Sequence, residues 1–218
     1  MADVAWNDDL GRDRRLIEAN IAEVGRGISK DAAARPAPAV ATAQRWHGDI
    51  YRGARVPVPY FAGEVRDSDD RYPELVGYEV RVGAVVAPPA RDVPELLRTF
   101  QSRMREACSR LDAVIPLGLT QSSDDDLTAV LILCASAHGE WVHIHPFANG
   151  NGRTARLWAM WVAVRYGLPP FIRLKPRPAL QLYAEAARRS MKDRDHQLTV
   201  LVFRDMLRER MQRGPGTR

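Results

Sequence analysis

Residues 143–156, HIHPFANGNGRTAR, decide how the rest of this chain is interpreted. Gly150 and Gly152 flank an asparagine at the point where a helical pattern resumes. Arg153 and Arg156 follow at a spacing of three, which places them on one face of the new helix. A helix N-terminus already carries unpaired amide hydrogens and about half a positive charge, so two further cations predict a bound anion there.

Gly150, Asn151 and Gly152 are candidates for the floor of this anion site. The two glycines lack a Cβ, which lets the backbone bend tightly and lets phosphate oxygens approach the main-chain amides. Gly-Asn-Gly alone is more typical of an ordinary turn, with the arginines pointing to solvent. Because Arg153 and Arg156 follow it directly, we favour a polyphosphate site with two guanidinium clamps.

His145 is the candidate general base. Pro146 cannot continue a helix, so we expect the imidazole at a rigid corner about one turn beyond the end of the preceding helix. With an ordinary pKa of about 6.5, it can accept a proton from a hydroxyl that attacks phosphorus. His138 lies on the apolar stripe of that same helix, where a packed histidine bonded to a main-chain carbonyl is the simpler interpretation.

Composition limits the class of protein. A chain of 218 residues, 45% of them hydrophobic, can bury one substantial core. The net charge of +5 is scattered along helical faces, so no nucleic-acid partner is predicted. The acidic start and the lack of a long apolar run argue against a signal peptide and a membrane partner. Cys108 and Cys134 fit buried thiols, and the location expected is cytoplasmic.

Helical periodicity dominates the chain and predicts an all-α fold. Helices are expected over about 10–26, 40–51, 92–111, 122–142, 151–166, 178–191 and 196–211. Gly25 and Gly27 are expected to end the first helix, and Asp92 with Glu95 to form a capping box.

The β candidates are two short segments, 60–66 and 78–82, which lie among prolines and glycines and could form a hairpin. The predicted organisation is an N-terminal helix and connector over 1–40, one domain over 41–212, and a disordered tail over 213–218.

The string HPFANGNGRTAR resembles the signature of the Fic (Fic/Doc) family. That signature reads His-Pro-Phe, any residue, Asp or Glu, Gly-Asn-Gly-Arg, two variable residues and Arg. Segments 61–66 and 80–83 resemble the family's flap, and 167–170 resembles the helix exit after the signature. The resemblance covers about residues 45–190. It implies a Fic-type helical bundle with a short β-hairpin flap.

The resemblance also implies an activity, because most members of the family transfer AMP from ATP to a Ser, Thr or Tyr hydroxyl of a target protein. His145 would be the general base, and Phe147 would anchor the loop in the core. The Gly150–Asn151–Gly152 floor would bind the α and β phosphates. Arg153 and Arg156 would hold the β and γ phosphates. The flap would dock the target as an added strand through Gly63, Glu64, Val65 and Arg66.

Asn149 departs from the signature, since the family carries an acid there to bind Mg²⁺. An amide oxygen can coordinate Mg²⁺ but brings no charge, so metal affinity would depend more on the nucleotide. Three outcomes follow: AMP transfer with a weaker magnesium requirement, another phosphate-containing donor such as a different nucleotide or a phosphate-linked choline, or an inactive nucleotide-binding module. A kinase like the related Doc toxins is disfavoured, because those carry Lys in place of Gly152.

A second departure concerns regulation. Many relatives carry an inhibitory helix with Ser or Thr, three variable residues, Glu, and Gly or Asn. Residues 19–24 lack the hydroxyl, and residues 102–106 lie in a helix expected to be structural. We therefore expect no autoinhibition through this motif, or a separate inhibitory, antitoxin-like protein. The chain would act in the cytoplasm or after delivery into another cell.

Overall fold

A computed structural model describes residue 6 and residues 13–67, 69–174, 178 and 181–213. Its α-helices are α1 Arg14–Asp31, α2 Val40–Ile50, α3 Val93–Val114, α4 Asp124–Ile144, α5 Asn151–Arg165, α6 Gln181–Asp193 and α7 Gln197–Gln212. Three short 3-10 turns cover Ala32–Ala34, Pro59–Phe61 and Ala90–Asp92. The tail predicted to be disordered lies, from residue 214 onward, outside the described residues.

The seven α-helices in the described part of the chain confirm the prediction of an all-α fold. Helix α4 lies at the centre of the bundle. It packs against α3, α5, α6 and α7, so it is apolar around most of its circumference. The Ser123 hydroxyl accepts a hydrogen bond from the Asp126 amide at 3.1 Å and thereby caps its N-terminus. By length and composition α4 could cross a membrane, but most of its apolar stretch is buried against its neighbours, as in a core helix.

Aromatic side chains fill the space where α3, α4 and α5 meet. Phe100 packs edge-to-face against Trp141 and Trp158, with ring centroids 5.4 Å apart in each pair. Trp46 of α2 joins the cluster through Trp158. This cluster fixes α4 and α5 relative to each other, and the 143–156 stretch is the connection between those two helices.

Two local predictions were wrong. Helix α1 passes through Gly25 and Gly27 and ends at Asp31. A Cβ on Gly25 would lie 3.0 Å from the Leu174 side chain, so this glycine permits close packing and does not stop the helix. Asp92 makes no side-chain cap, because a 3-10 turn leads into α3 and leaves Asp92 near the helical region at φ −88° and ψ −16°.

The hairpin is shorter than predicted, and only its first strand lies within a predicted segment, 78–82. Strands β1 Arg81–Val82 and β2 Val85–Val86 pair antiparallel around a two-residue loop, in which Gly83 has a φ of 59°. The predicted strand over 60–66 is absent, and a 3-10 turn and further turns replace it. Phe61 is fully buried, so the apolar residues of that segment reflect core packing rather than a pleated sheet.

Candidate active site

A cleft of about 540 Å³ opens where the α4–α5 connection faces α6 and the hairpin. It brings together residues that are far apart in the chain. The residues that line it include Val80, Arg81, Val85, His145, Asn149, Gly150, Asn151, Gly152, Arg153, Arg156, Tyr183 and Arg188. Among the described residues of this lining four are arginines and none is an acid, so the cleft suits an anionic ligand.

His145 directly follows α4, not one turn beyond it as predicted, because its left-handed conformation at φ 51° and ψ 56° ends the helix. Its Nδ1 lies 2.9 Å from the Val142 carbonyl oxygen, which can only accept, so Nδ1 carries the hydrogen and Nε2 has the lone pair. Burial lowers the pKa of His145 to about 4. The hydrogen bond to Val142 acts to raise this pKa, and the positive charge of Arg66 lowers it further. The imidazole is therefore neutral at physiological pH and can accept a proton.

Phe147 anchors the loop after His145 in the core, which is the role that the resemblance implies. Its fully buried ring stacks on His47 with centroids 3.8 Å apart and planes 12° apart. The Asn151 side chain accepts from the Phe147 amide and donates to the Phe147 carbonyl, both at 2.8 Å. The side chain of Asn151 is thus used to hold the loop, which leaves its main-chain amide as the group available to a ligand.

Gly150 and Gly152 are glycines for different reasons. Gly150 is the N-cap of α5 with a φ of 78°, and a Cβ there would lie 2.8 Å from both His47 Nε2 and the Tyr51 hydroxyl. Gly152 is helical, and its Cβ would meet only the end of the Arg156 side chain at 3.6 Å. Gly150 is required by the fold, whereas Gly152 keeps the first turn of α5 open to a ligand.

Arg153 and Arg156 do not point to solvent, because their residues are 9% and 4% exposed. Arg156 donates through Nε and Nη2 to the Leu174 carbonyl at 3.2 and 3.0 Å, and through Nη1 to the Tyr183 hydroxyl at 3.4 Å. Arg153 donates to the Tyr51 hydroxyl and lies 5.7 Å from the centre of that ring. Both guanidinium groups are held in place at the edge of the cleft, where they can clamp phosphates.

His138 is a packed core histidine, as predicted, although its partner is a hydroxyl. Its Nε2 lies 2.9 Å from the Tyr183 hydroxyl, and burial lowers its pKa to about 3, with a smaller effect of the Arg156 charge. Because the Tyr183 hydroxyl also accepts a hydrogen bond from Arg156, His138 helps to hold Arg156 in place through Tyr183.

The Asn149 side chain is paired within the protein. Its Oδ1 accepts from the Gly150 amide at 2.6 Å, and its Nδ2 donates to the Trp6 carbonyl at 2.9 Å. Within the described ranges no group of three or more His, Cys, Asp or Glu residues could hold a metal ion. The protein groups at this position therefore do not fit a resident Mg²⁺, which prefers carboxylate oxygens.

The four residues predicted to form the docking flap lie elsewhere than expected. Gly63 packs against α2 near Gly48, and Val65 is buried. Arg66 is buried against the carbonyls of Ile144 and His145. They form no strand and so offer no free strand edge to a target. The hairpin that lines the cleft is Arg81–Val86, part of which the sequence had placed in the second strand.

Sequence reasoning missed several residues of the site. His47 accepts from the Gly63 amide at 3.0 Å through Nδ1, so its Nε2 carries the hydrogen and donates to the Asn149 carbonyl at 2.9 Å. Trp6 packs on Tyr51 with ring centroids 4.6 Å apart. Helical periodicity could place His47 and Tyr51 on the buried face of α2, but no local pattern indicates that this face meets the α4–α5 loop.

A sequence model described as "Fic/DOC family" matches residues 39–163, more than half of the chain. The "Protein adenylyltransferase Fic" of Culex quinquefasciatus is 55% identical over 94 residues, which is 43% of this chain and 16% of that protein. The "Uridine 5'-monophosphate transferase" of Xanthomonas campestris pv. campestris (strain 8004) is 28% identical over 102 residues, which is 47% of this chain and 19% of that protein. The chain thus spans less than a fifth of the length of these relatives.

The fold has a match among solved structures. The BepC protein of Bartonella tribocorum, described as a VirB-translocated Bartonella effector protein and solved with bound AMPPNP, superposes with a TM-score of 0.56. The match covers 92% of this chain and 90% of that one at 15% identity. Given the matched family model and a helical bundle of the same fold, this chain belongs to the Fic/DOC family.

Proposed function

We propose that the protein is an adenylyltransferase that transfers AMP from ATP to a Ser, Thr or Tyr hydroxyl of a target protein. The hydroxyl oxygen attacks the α phosphorus, the bond between the α phosphorus and the bridging oxygen breaks, and pyrophosphate leaves. His145 Nε2 takes the hydroxyl proton. The observation that carries this proposal is that a neutral imidazole and two buried arginines at a helix N-terminus line one cleft.

The chain supplies binding and positioning. The first-turn amides of α5, at Asn151 and Gly152, have no partner within the helix and would bind the inner phosphates. Arg153 and Arg156 would hold the outer phosphates, and His145 would stand on the side from which the hydroxyl approaches. Because Asn149 is already paired within the protein, we infer that Mg²⁺ enters together with the triphosphate.

The target would dock at the hairpin and not at residues 63–66. Val82 and Val86 are 47% and 50% exposed on two short strands whose outer edges are unpaired in the described structure. A target segment could add to such an edge through main-chain hydrogen bonds, which would place its hydroxyl beside the cleft.

The test uses ATP labelled at the α or the γ phosphate, incubated with the protein and a cell lysate. Label from the α position on protein supports AMP transfer, whereas label from the γ position supports a kinase. Transfer of neither label from ATP contradicts adenylyl transfer. A His145→Ala variant is the control, since transfer that survives in it removes the proposed base.

UTP is the second candidate donor. The relative named a uridine 5'-monophosphate transferase and the amide at position 149 both favour testing it. Label transferred from α-labelled UTP, with none from α-labelled ATP, would replace AMP by UMP in the proposal. Binding of either nucleotide without transfer would instead support a nucleotide-binding module.

Regulation and location are also proposals. We infer that a separate inhibitory protein, if any, restrains the enzyme, because the usual inhibitory motif is missing from residues 19–24 and 102–106. Action in the cytoplasm and delivery into another cell both agree with the fold, and the BepC protein is described as translocated.

A further inference from the structure

Arg66 is fully buried at the junction between the hairpin and the end of α4. Its guanidinium donates to four main-chain carbonyls and pairs with no carboxylate among the described residues. The distances are 2.9 Å to His145 and 3.1 Å to Ile144 on one side, and 3.0 Å to Tyr78 and 3.2 Å to Pro88 on the other.

The four carbonyls belong to two different parts of the cleft. Ile144 ends α4, and His145 is the left-handed residue that follows it. Tyr78 and Pro88 lie on either side of the hairpin, whose pairing is extended by a 3.0 Å hydrogen bond from the Ala87 amide to Val80. One planar side chain therefore joins the wall of the cleft that carries the imidazole to the wall formed by the hairpin.

A guanidinium suits this position for physical reasons. The last carbonyls of a helix have no intrahelical partner and form the negative end of its dipole, so they attract a cation. The main-chain amide of Arg66 adds a 2.8 Å hydrogen bond to the Pro146 carbonyl, so the segment binds three successive residues of the corner. The fork geometry of arginine can bridge several fixed acceptors at once, which a lysine cannot do.

We propose that Arg66 is a positioning residue that fixes the imidazole of His145 relative to the hairpin on which the target docks. A non-glycine residue in the left-handed region is strained and persists only where its surroundings hold it there. Arg66 supplies that constraint through the two carbonyls of the corner. This inference rests on the proposed function, because it assigns Arg66 to alignment of the reacting groups and not to nucleotide binding.

The test compares Arg66→Met and Arg66→Lys with Arg165→Met and Arg165→Lys. Arg165 is the control, since it is also buried and bonded to a main-chain carbonyl, that of Pro36. Its further bond, 2.6 Å to the Asp112 carboxylate, also lies away from the His145 corner and the hairpin. Binding of ATP by calorimetry gives both the dissociation constant and the number of folded sites. The rate of transfer from α-labelled ATP to the acceptor labelled in the lysate is then expressed per site.

We expect Arg66→Met to lower the rate per site by about 10²-fold, the scale of a misplacement of about 1 Å, while the dissociation constant for ATP stays within about twofold. Arg66→Lys should fall in between, because one ammonium cannot reach all four carbonyls. The Arg165 variants should lose thermal stability but keep the rate per site. A normal rate per site in both Arg66 variants would overturn the proposal, and if Arg66→Met does not fold, Arg66→Lys decides by the same criterion.

An activity-independent measurement separates this proposal from the proposed function. The His145 imidazole can be titrated by NMR, and loss of the Arg66 charge should move its midpoint upward in Arg66→Met and leave it unchanged in Arg165→Met. If the wild-type protein transfers no label, the proposed function fails, and this titration alone decides whether Arg66 governs the corner. An unmoved midpoint in Arg66→Met would then contradict it.

Discussion

Residues 145–156 form one side of the cleft, and residues 80–85, at the end of the segment 59–88, form another, but the two regions are built in different ways. In the first region the ligand-facing groups follow from local geometry: a left-handed corner, a glycine N-cap and a helix start. In the second region nothing local explains Arg66, whose four partners lie between 12 and 79 residues away along the chain. The comparison teaches that the reacting groups are set by short-range chemistry and their alignment by long-range packing.

The sharpest way to separate the two regions is to truncate one side chain in each. We expect His145→Ala to lower the transfer rate by about 10²–10⁴-fold, the usual contribution of a general base, without unfolding the protein. Phe61→Ala should instead lower the free energy of unfolding by about 3–5 kcal/mol, because a fully buried aromatic ring is lost. Urea unfolding measures the loss of stability, and the rate per nucleotide-binding site measures the loss of activity. A loss of stability in His145→Ala but not in Phe61→Ala would contradict a catalytic role for His145 and a structural role for Phe61.

The two glycines of the first region give a matched pair. Gly150→Ala should destabilise the protein by about 1–3 kcal/mol and weaken ATP binding more than tenfold, since φ is positive and the new Cβ meets His47 and Tyr51. Gly152→Ala should leave stability unchanged or raise it by up to about 1 kcal/mol, because its backbone is helical. Thermal unfolding and calorimetry with ATP check both. Equal destabilisation by the two changes would contradict the different roles given to them.

The protonation of His145 at acid pH gives a third prediction. The transfer rate should be level near neutrality and fall as the pH drops through about 4, where His145 takes up a proton. The unfolded chain binds this proton first, from its ordinary pKa of 6.5, so the free energy of unfolding should decrease between pH 6.5 and about 4. His145→Gln should make that part of the stability curve less steep by the share of one group. Part of the slope should remain, because burial lowers the pKa of His138 as well. An identical slope in the variant would show that the depressed pKa is not that of His145.

Asn149→Asp is expected to have the smallest effect. A carboxylate cannot donate to the Trp6 carbonyl, so one hydrogen bond worth about 0.5–1.5 kcal/mol is lost and the Trp6 ring should become more exposed. The new charge should raise the transfer rate a few-fold at limiting Mg²⁺. The exposure of the Trp6 ring is measured by tryptophan fluorescence, as the difference between proteins with Trp6 and the same proteins carrying Trp6→Phe. The change in rate is measured over a series of magnesium concentrations. An unchanged magnesium dependence would count against position 149 as a metal ligand position.

The helices were largely predictable because apolar periodicity over eleven or more residues is a strong signal, as in α3. The segment 59–88 was not, because a short apolar run has no period long enough to separate a strand from buried turns. Gly25 was misread for a related reason, since its close neighbour Leu174 comes from a distant part of the chain.

By itself the sequence determined the mostly helical fold and the stretch in which His145, Gly150 and the two arginines occur in order, because these depend on residues within a few turns of one another. Only the tertiary structure decided that Asn151 holds its own loop, that His47 and Tyr51 border Gly150, and that Arg66 joins the hairpin to the corner. The physical reason is that a buried polar group must find partners wherever the packed chain provides them, and that choice has no local sequence pattern.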